Sequence, residues 1–336
     1  MKKVLIAMCA MAAVLACTKT EASFEQPGEI SFSPVSRYNT KAAVTGTNFT
    51  ADQNFFVFAN TTDNEKYFSN ILFEADGTNK DGEYQVYKGN PSQFWPNVKS
   101  LKFAGYTVSG NVGATSPSIL ASMNENFETM TLTSYQQPLP TEDKANDLMW
   151  FFENNSGSGY DKNTDYVNPT MKHALSWITI NIKAESQSLL DYWKNLTIID
   201  VEFANLITTN TVALGTNAVW TEVAAPSPAV PVDVMTTDKV LTTSSQEFAD
   251  VANNTIVIPQ TPVDLNVTYS YTSPADNSVT ITETKPVSLK FDGENKWVAG
   301  THYSYELTIG ANEIKIAPKS TEWATGTGSG LNQTIK

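Results

Sequence analysis

Eight carboxylates, Asp63, Glu65, Asp76, Asp81, Glu83, Asp161, Asp165 and Asp200, are the side chains here that could supply paired acid and base groups for glycoside chemistry. Acidic residues among Asn, Gly and Thr also form turns by bonding their own backbone, and no spacing in the sequence pairs any two of these. Ser-His-Asp catalysis would have to use His173 or His302, the two histidines of the chain. His173 has no Gly-x-Ser-x-Gly partner, and His302 sits on the polar face of an alternating strand. With only Cys9 and Cys17 beside them, a zinc set of three or four clustered ligands is not supplied. Gly326-Thr327-Gly328-Ser329-Gly330 looks like a phosphate loop but lacks the Lys-Ser/Thr ending and the strand–helix setting, so it reads as a flexible linker. Trp177, Trp297 and Trp323 are candidate sugar-stacking platforms, with core packing the competing role. The expectation is a protein that is not an enzyme and that has no metal or cofactor.

The chain has 336 residues, enough for about two domains, and carries 35 acidic against 22 basic side chains for a formal charge of -13. Arg37 is the sole arginine. Nucleic acid, which demands clustered Lys and Arg, is not an expected partner.

Lys2 and Lys3 precede a 13-residue apolar run from Val4 to Ala16, too short to span a bilayer and fitting a secretory signal over residues 1–16. The run ends Val14-Leu15-Ala16-Cys17, which resembles the lipobox of bacterial lipoproteins, with Cys17 as the thiol that receives lipid. The alternative is an ordinary signal peptide with an incidental cysteine. Residues 17–29 are polar, contain Pro27-Gly28 and read as a tether.

From residue 30 onward the dominant pattern has period two, the mark of half-buried strands. Ile30, Phe32 and Pro34 begin it, Phe55 to Phe58 form a buried run, and Ile178, Ile180 and Ile182 alternate with polar residues. Val267, Tyr269 and Tyr271 share one face, as do Tyr303, Tyr305, Leu307 and Ile309. Two short stretches, 119–130 and 186–193, carry helical signals. The polar, Gly-rich break at 154–164 places a domain boundary near residue 165. The expected architecture is all-β: an N-terminal sandwich over 30–165, and a C-terminal sandwich over 166–336 that ends in a short Gly-rich tail.

Several segments, taken in order, resemble the Bacteroides-type fimbrillins, the Mfa-like or type V pilin subunits. They are Ile30-Ser31-Phe32 with Thr40-Lys41-Ala42, then Phe94-Trp95-Pro96 before Leu101-Lys102-Phe103-Ala104-Gly105-Tyr106. Asp147-Leu148-Met149 follows, then Met171-Lys172-His173-Ala174-Leu175-Ser176-Trp177-Ile178. Ile256–Gln260 with Leu265–Tyr271 comes next, and Trp297–Tyr305, Ile314-Lys315-Ile316 and Glu322-Trp323 close the series.

The resemblance implies two tandem transthyretin-like β-sandwiches exported as a lipoprotein to the outer membrane surface. It implies a structural or adhesive fimbrial subunit assembled by strand exchange, after a trypsin-like maturation protease removes the lipidated segment and the first strand. Carried onto this chain, Cys17 is the lipidation site and Ile30 and Phe32 are anchors of the removable strand. The cut falls at Lys41-Ala42 or at Arg37-Tyr38, and Leu331 and Ile335 mark the donor strand. Other pilin subunits, membrane lipid, the protease and a host or bacterial surface ligand are the implied partners. The alternative function is a surface-tethered, glycan-binding lipoprotein that does not polymerise.

Overall fold

The computed structural model describes residues 28–36, 54–80, 84–108, 120–137, 139–140, 147–223, 230–249, 255–290, 296–322 and 333–334. The alternating stretches become strands, because a pleated chain sends successive side chains to opposite faces and buries one set. The first half of the chain forms β1 (Ser31–Phe32), β2 (Val35–Ser36), β3 (Asn54–Thr61), β4 (Lys66–Lys80), β5 (Tyr84–Asn90) and β6 (Leu101–Val108). After them come β7 (Leu120–Met123), β8 (Met130–Gln136), β9 (Met149–Glu153) and β10 (Thr170–His173). Eight of these make one sheet in the order β1-β5-β4-β3-β6-β9-β10-β2.

The second half begins with β11 (Ser176–Ala184), the single-turn helix α1 (Gln187–Tyr192), β12 (Thr197–Phe203), β13 (Thr209–Leu214) and β14 (Ala218–Trp220). Four short strands follow: β15 (Val232–Met235), β16 (Lys239–Val240), β17 (Gln246–Glu247) and β18 (Ile256–Val257). The last are β19 (Asp264–Thr272), β20 (Thr280–Ser288), β21 (Thr301–Ile309), β22 (Ile314–Glu322) and β23 (Gln333–Thr334). They form one sheet in the order β17-β11-β21-β22-β23 with β18 also on β11, and a second in the order β15-β12-β19-β20 with β16 also on β12. The all-β expectation holds.

The two C-terminal sheets enclose a single core. Ile178, Ile180 and Ile182 of β11 and Tyr303, Tyr305 and Leu307 of β21 face Ile198, Val201 and Phe203 of β12 and Val267 and Tyr269 of β19. A bulge between Ile198 and Asp200 keeps both Ile198 and Val201 inward despite their odd spacing. A second core lies between the outer face of β3, β6 and β9 and a four-stranded sheet ordered β14-β13-β8-β7. Phe56, Phe58, Tyr106 and Trp150 there meet Met130, Leu132, Tyr135, Val212 and Leu214.

Among the described residues three ladders cross residue 165, because β10 pairs with both β9 and β2 and the β13–β14 hairpin pairs with β8. The Gly-rich break at 154–164 packs onto the first sheet, where Tyr160 and Leu101 exchange backbone bonds of 2.8 and 2.7 Å. Gly159 sits at φ +72 with Ser100 and Thr62 2.8 Å from where a Cβ would lie.

Residues 120–130 are not helical. They form β7, a turn and the start of β8, with the Asn124 side chain accepting the N–H groups of Glu128 and Thr129 at 2.8 and 3.0 Å. The other helical signal holds, since Ser186 caps α1 by accepting the N–H of Leu189 at 3.2 Å.

Candidate functional site

β1 stands at one end of the eight-stranded order and β2 at the other, yet only Ser33 and Pro34 separate them in sequence. Residues 31–36 are therefore one stave that closes the sheet on itself. On one side Ser31 and Phe32 pair antiparallel with Lys88 and Tyr87 of β5. On the other, Phe32 pairs parallel with Val167, and Val35 and Ser36 continue at the same register against Thr170 and Met171 of β10. Ser33 N–H donates to Val167 O and Val167 N–H to Ser31 O, both at 2.9 Å. Upstream, Ile30 N–H donates to Gln93 O at 2.7 Å and Trp95 N–H to Gly28 O at 3.0 Å.

The ring so formed holds the third core. Phe55, Val57, Phe73, Tyr87, Leu101, Phe103, Met149, Phe151 and Met171 point inward around Ile30 and Phe32, which are both 0% exposed. The Phe32 ring packs at 4.8 Å on Phe73, 5.2 Å on Phe103 and 5.7 Å on Phe55, each edge to face, and at 6.0 Å on Phe151. Burying Ile30 and Phe32 contributes roughly 1.5–3 kcal/mol each. The opposite side of the stave is also covered, with Ser31 6% and Ser33 1% exposed. Only small side chains stand there.

A polar cleft of about 390 Å³ flanks the start of the stave, lined by Glu29, Ser31, Asp76, Thr78, Lys88, Asp165 and Tyr166 among others. Lys88 bridges Asp76 at 3.1 Å and Glu29 at 3.5 Å. Partial burial pushes the Asp76 carboxyl up, but bonds from the Thr78 hydroxyl and N–H and from Lys88 outweigh it and hold the group below the ordinary carboxylate range. The hydrogen bond to Asp76 raises the Lys88 ammonium above its usual value.

Other residues singled out from the sequence take structural places. Glu65 pairs with Lys99 at the surface. Asp161 accepts the Asn163 N–H at 2.9 Å as a turn former. Asp200 joins Glu202 and Asp233, one carboxylate oxygen of each lying within 4.8 Å of the other two. Trp297 is buried in the C-terminal core and donates its indole N–H to Tyr305 at 2.8 Å, while Trp177 is half-buried and stacks on His302 at 3.6 Å. Asp63 lies in the turn between β3 and β4. Cys17, Arg37, Tyr38, Lys41, Ala42, Asp81, Glu83, Trp323, Gly326–Gly330, Leu331 and Ile335 lie outside the described residues.

Sequence reading missed the Asp147–His173 pair, the Glu29–Lys88–Asp76 bridge and the aromatic lining as a unit. Asp147 and His173 each fall inside a quoted motif, and that was the available signal.

The sequence model of the fimbrillin-like family matches residues 40–323. The chain belongs to the fimbrillin-like family. A fimbrial protein from Bacteroides vulgatus has a similar structure, with TM-score 0.56 at 17% identity over 88% of this chain and 100% of its own. A proposed cell adhesion protein from Bacteroides uniformis gives 0.53 at 17% over 88% and 99%, and one from Bacteroides ovatus gives 0.50 at 14% over 90% and 99%. These likenesses are of fold. No curated protein matches the chain. In this fimbrillin-like chain the matched span starts past the closing stave and ends before the tail. Among the described residues no helix is long and apolar enough to cross a membrane.

Proposed function

We propose that this fimbrillin-like chain is a structural and adhesive subunit of a cell-surface fimbria. It is made as an outer-membrane precursor lipidated at Cys17, and strand exchange builds it into the fibre once residues 30–35 are removed. The observation that carries this reading is the stave itself: a short N-terminal segment fills a slot between β5 and β10, with Ile30 and Phe32 buried at its centre. Taking it out uncovers two strand edges and an apolar channel, which is the requirement for capture of a strand from another subunit. Each backbone bond remade contributes about 0.5–1.5 kcal/mol.

Arg37-Tyr38 and Lys41-Ala42 both lie between the stave and β3, where a cut frees it from the body. Arg37 being the sole arginine, an Arg-specific protease has one site in the whole chain. The C-terminal segment Leu331–Ile335 is the donor toward the next subunit, and its Gln333 and Thr334 lie against Ser320 and Lys319 of β22 in the free chain. Surface ligands on host or bacterial cells are the adhesive targets.

The test compares cells carrying the natural chain with cells carrying Arg37→Gln, Lys41→Gln and the double variant. Sheared fimbriae should contain the natural chain shortened by its first 37 or 41 residues. The double variant should stay in the membrane at full length. Full-length protein in fimbriae, or incorporation of the double variant, overturns the proposal.

A further inference from the structure

We infer that the slot occupied by residues 29–34 is shaped for a segment of a different subunit and not for residues 331–336 of a second copy of this chain. This rests on the strand-exchange reading above and names its partner. The occupant that fits has, in succession, an acidic residue, a large aliphatic one, a small one, an aromatic ring and a small one.

Each demand comes from a contact. The ring is required where Phe32 stands, 0% exposed among Phe55, Phe73, Phe103 and Phe151. Small residues are required where Ser31 and Ser33 are buried on the other side of the stave. The acid is required beside Lys88, which reaches Glu29 and would keep only Asp76 once the stave leaves.

Residues 331–336, the donor segment of the proposal above, read Leu331-Asn332-Gln333-Thr334-Ile335-Lys336. In a strand, 331, 333 and 335 share a face. Seating both Leu331 and Ile335 puts Gln333 in place of Phe32, whichever way the segment runs. Sliding it by two residues moves Gln333 to the position of Ile30 or Pro34, and both of those are buried. An amide left without partners in an aromatic box is strongly disfavoured. The alternate face offers Asn332 and Thr334, which are polar as well. Residues 323–336 contain no acidic residue to meet Lys88.

The experiment uses the lipid-free chain from Cys17 onward, with a fluorophore on the Cys17 thiol and a specific protease site inserted between Ser36 and Asn54. Nicking leaves the labelled stave held without a covalent link, and its release by nine-residue peptides is followed by anisotropy. A peptide of residues 28–36 should displace it. The same peptide with Phe32→Gln, and a peptide of residues 328–336, should each need about 100-fold more or worse, the scale of losing one buried ring. Glu29→Lys in the first peptide should cost a few-fold, and less at high salt. A 328–336 peptide within tenfold of the 28–36 peptide overturns the inference and leaves strand exchange standing. Failure of the 28–36 peptide itself to displace the stave overturns strand exchange, and this inference with it.

Discussion

The carboxylate of Asp147 and Nδ1 of His173 bind each other in the protein interior, their side chains 1% and 0% exposed. The contact ties the residue two before β9 to the last residue of β10, the strand that receives the closing stave. Thr107 of β6 braces the same point, donating its hydroxyl to Asp147 O at 2.8 Å and accepting the Met149 N–H at 2.7 Å. Burial, and then the nearby Asp147 charge, raise the Tyr135 phenol well above its ordinary value.

Removing one partner takes from the other the buried contact that offsets its lost hydration. Asp147→Ala and His173→Ala should each lower stability by about 3–5 kcal/mol. The double variant Asp147→Leu/His173→Leu should recover most of the loss, because both polar groups then leave the interior together. Urea midpoints at constant slope measure both effects.

Phe32→Ala removes the ring at the centre of the barrel and should cost about 3–5 kcal/mol. Val98→Ala, at a side chain 95% exposed, should stay within about 0.5 kcal/mol. The same urea titrations compare them, and equal effects would show that the barrel centre carries no special burden.

Burial pulls the His302 imidazole down to about 4. Its Nε2 shares a hydrogen bond with Thr179 Oγ1 at 2.9 Å, and its ring lies flat on Trp177. The folded value being depressed, the unfolded chain takes up the proton first as pH falls. The contribution of this group is complete above about 6.5 and declines from there down to about 4, by on the order of 2–3 kcal/mol. Subtracting the pH profile of His302→Gln from that of the natural chain should isolate this slope. An NMR titration of the His302 ring with a midpoint near 6.5 would refute it.

Gly105 has no room for a side chain: an added Cβ would lie 2.4 Å from the Phe151 ring and 2.7 Å from Phe56 O. Gly105→Ala should cost about 1–3 kcal/mol through displacement of β9 or its ring. Phe151→Leu introduced with it should restore part of the loss, and thermal denaturation of the single and paired variants tests this.

Most of the strands were legible because half-buried strands advertise themselves residue by residue. Tyr303, Tyr305 and Leu307 face the core as their alternation implies. The stretch 119–130 misled because Met123, Phe127 and Met130 are spaced as on a helix. They reach apolar surroundings instead through a hairpin whose turn holds Phe127 at φ 58. At the candidate site, Ile30 and Phe32 stood out locally. Lys88 and the pairing of Asp147 with His173 did not, since those partners lie 59 and 26 positions apart and only the folded sheet brings them together. The Gly-rich break at 154–164 looked like a spacer because its glycines and asparagines serve close packing and tight turns as readily as freedom.

The stave that begins the described chain pairs with Thr170 and Met171, far along the sequence. The barrel cannot close until that distant strand is also available. Pairing residues 35 and 36 with residues 170 and 171 is a high-contact-order step that slows completion of this core. Until then the channel between β5 and β10 stands open, its two strand edges unpaired and its aromatic lining uncovered, which makes the unfinished barrel the most adhesive form of the molecule.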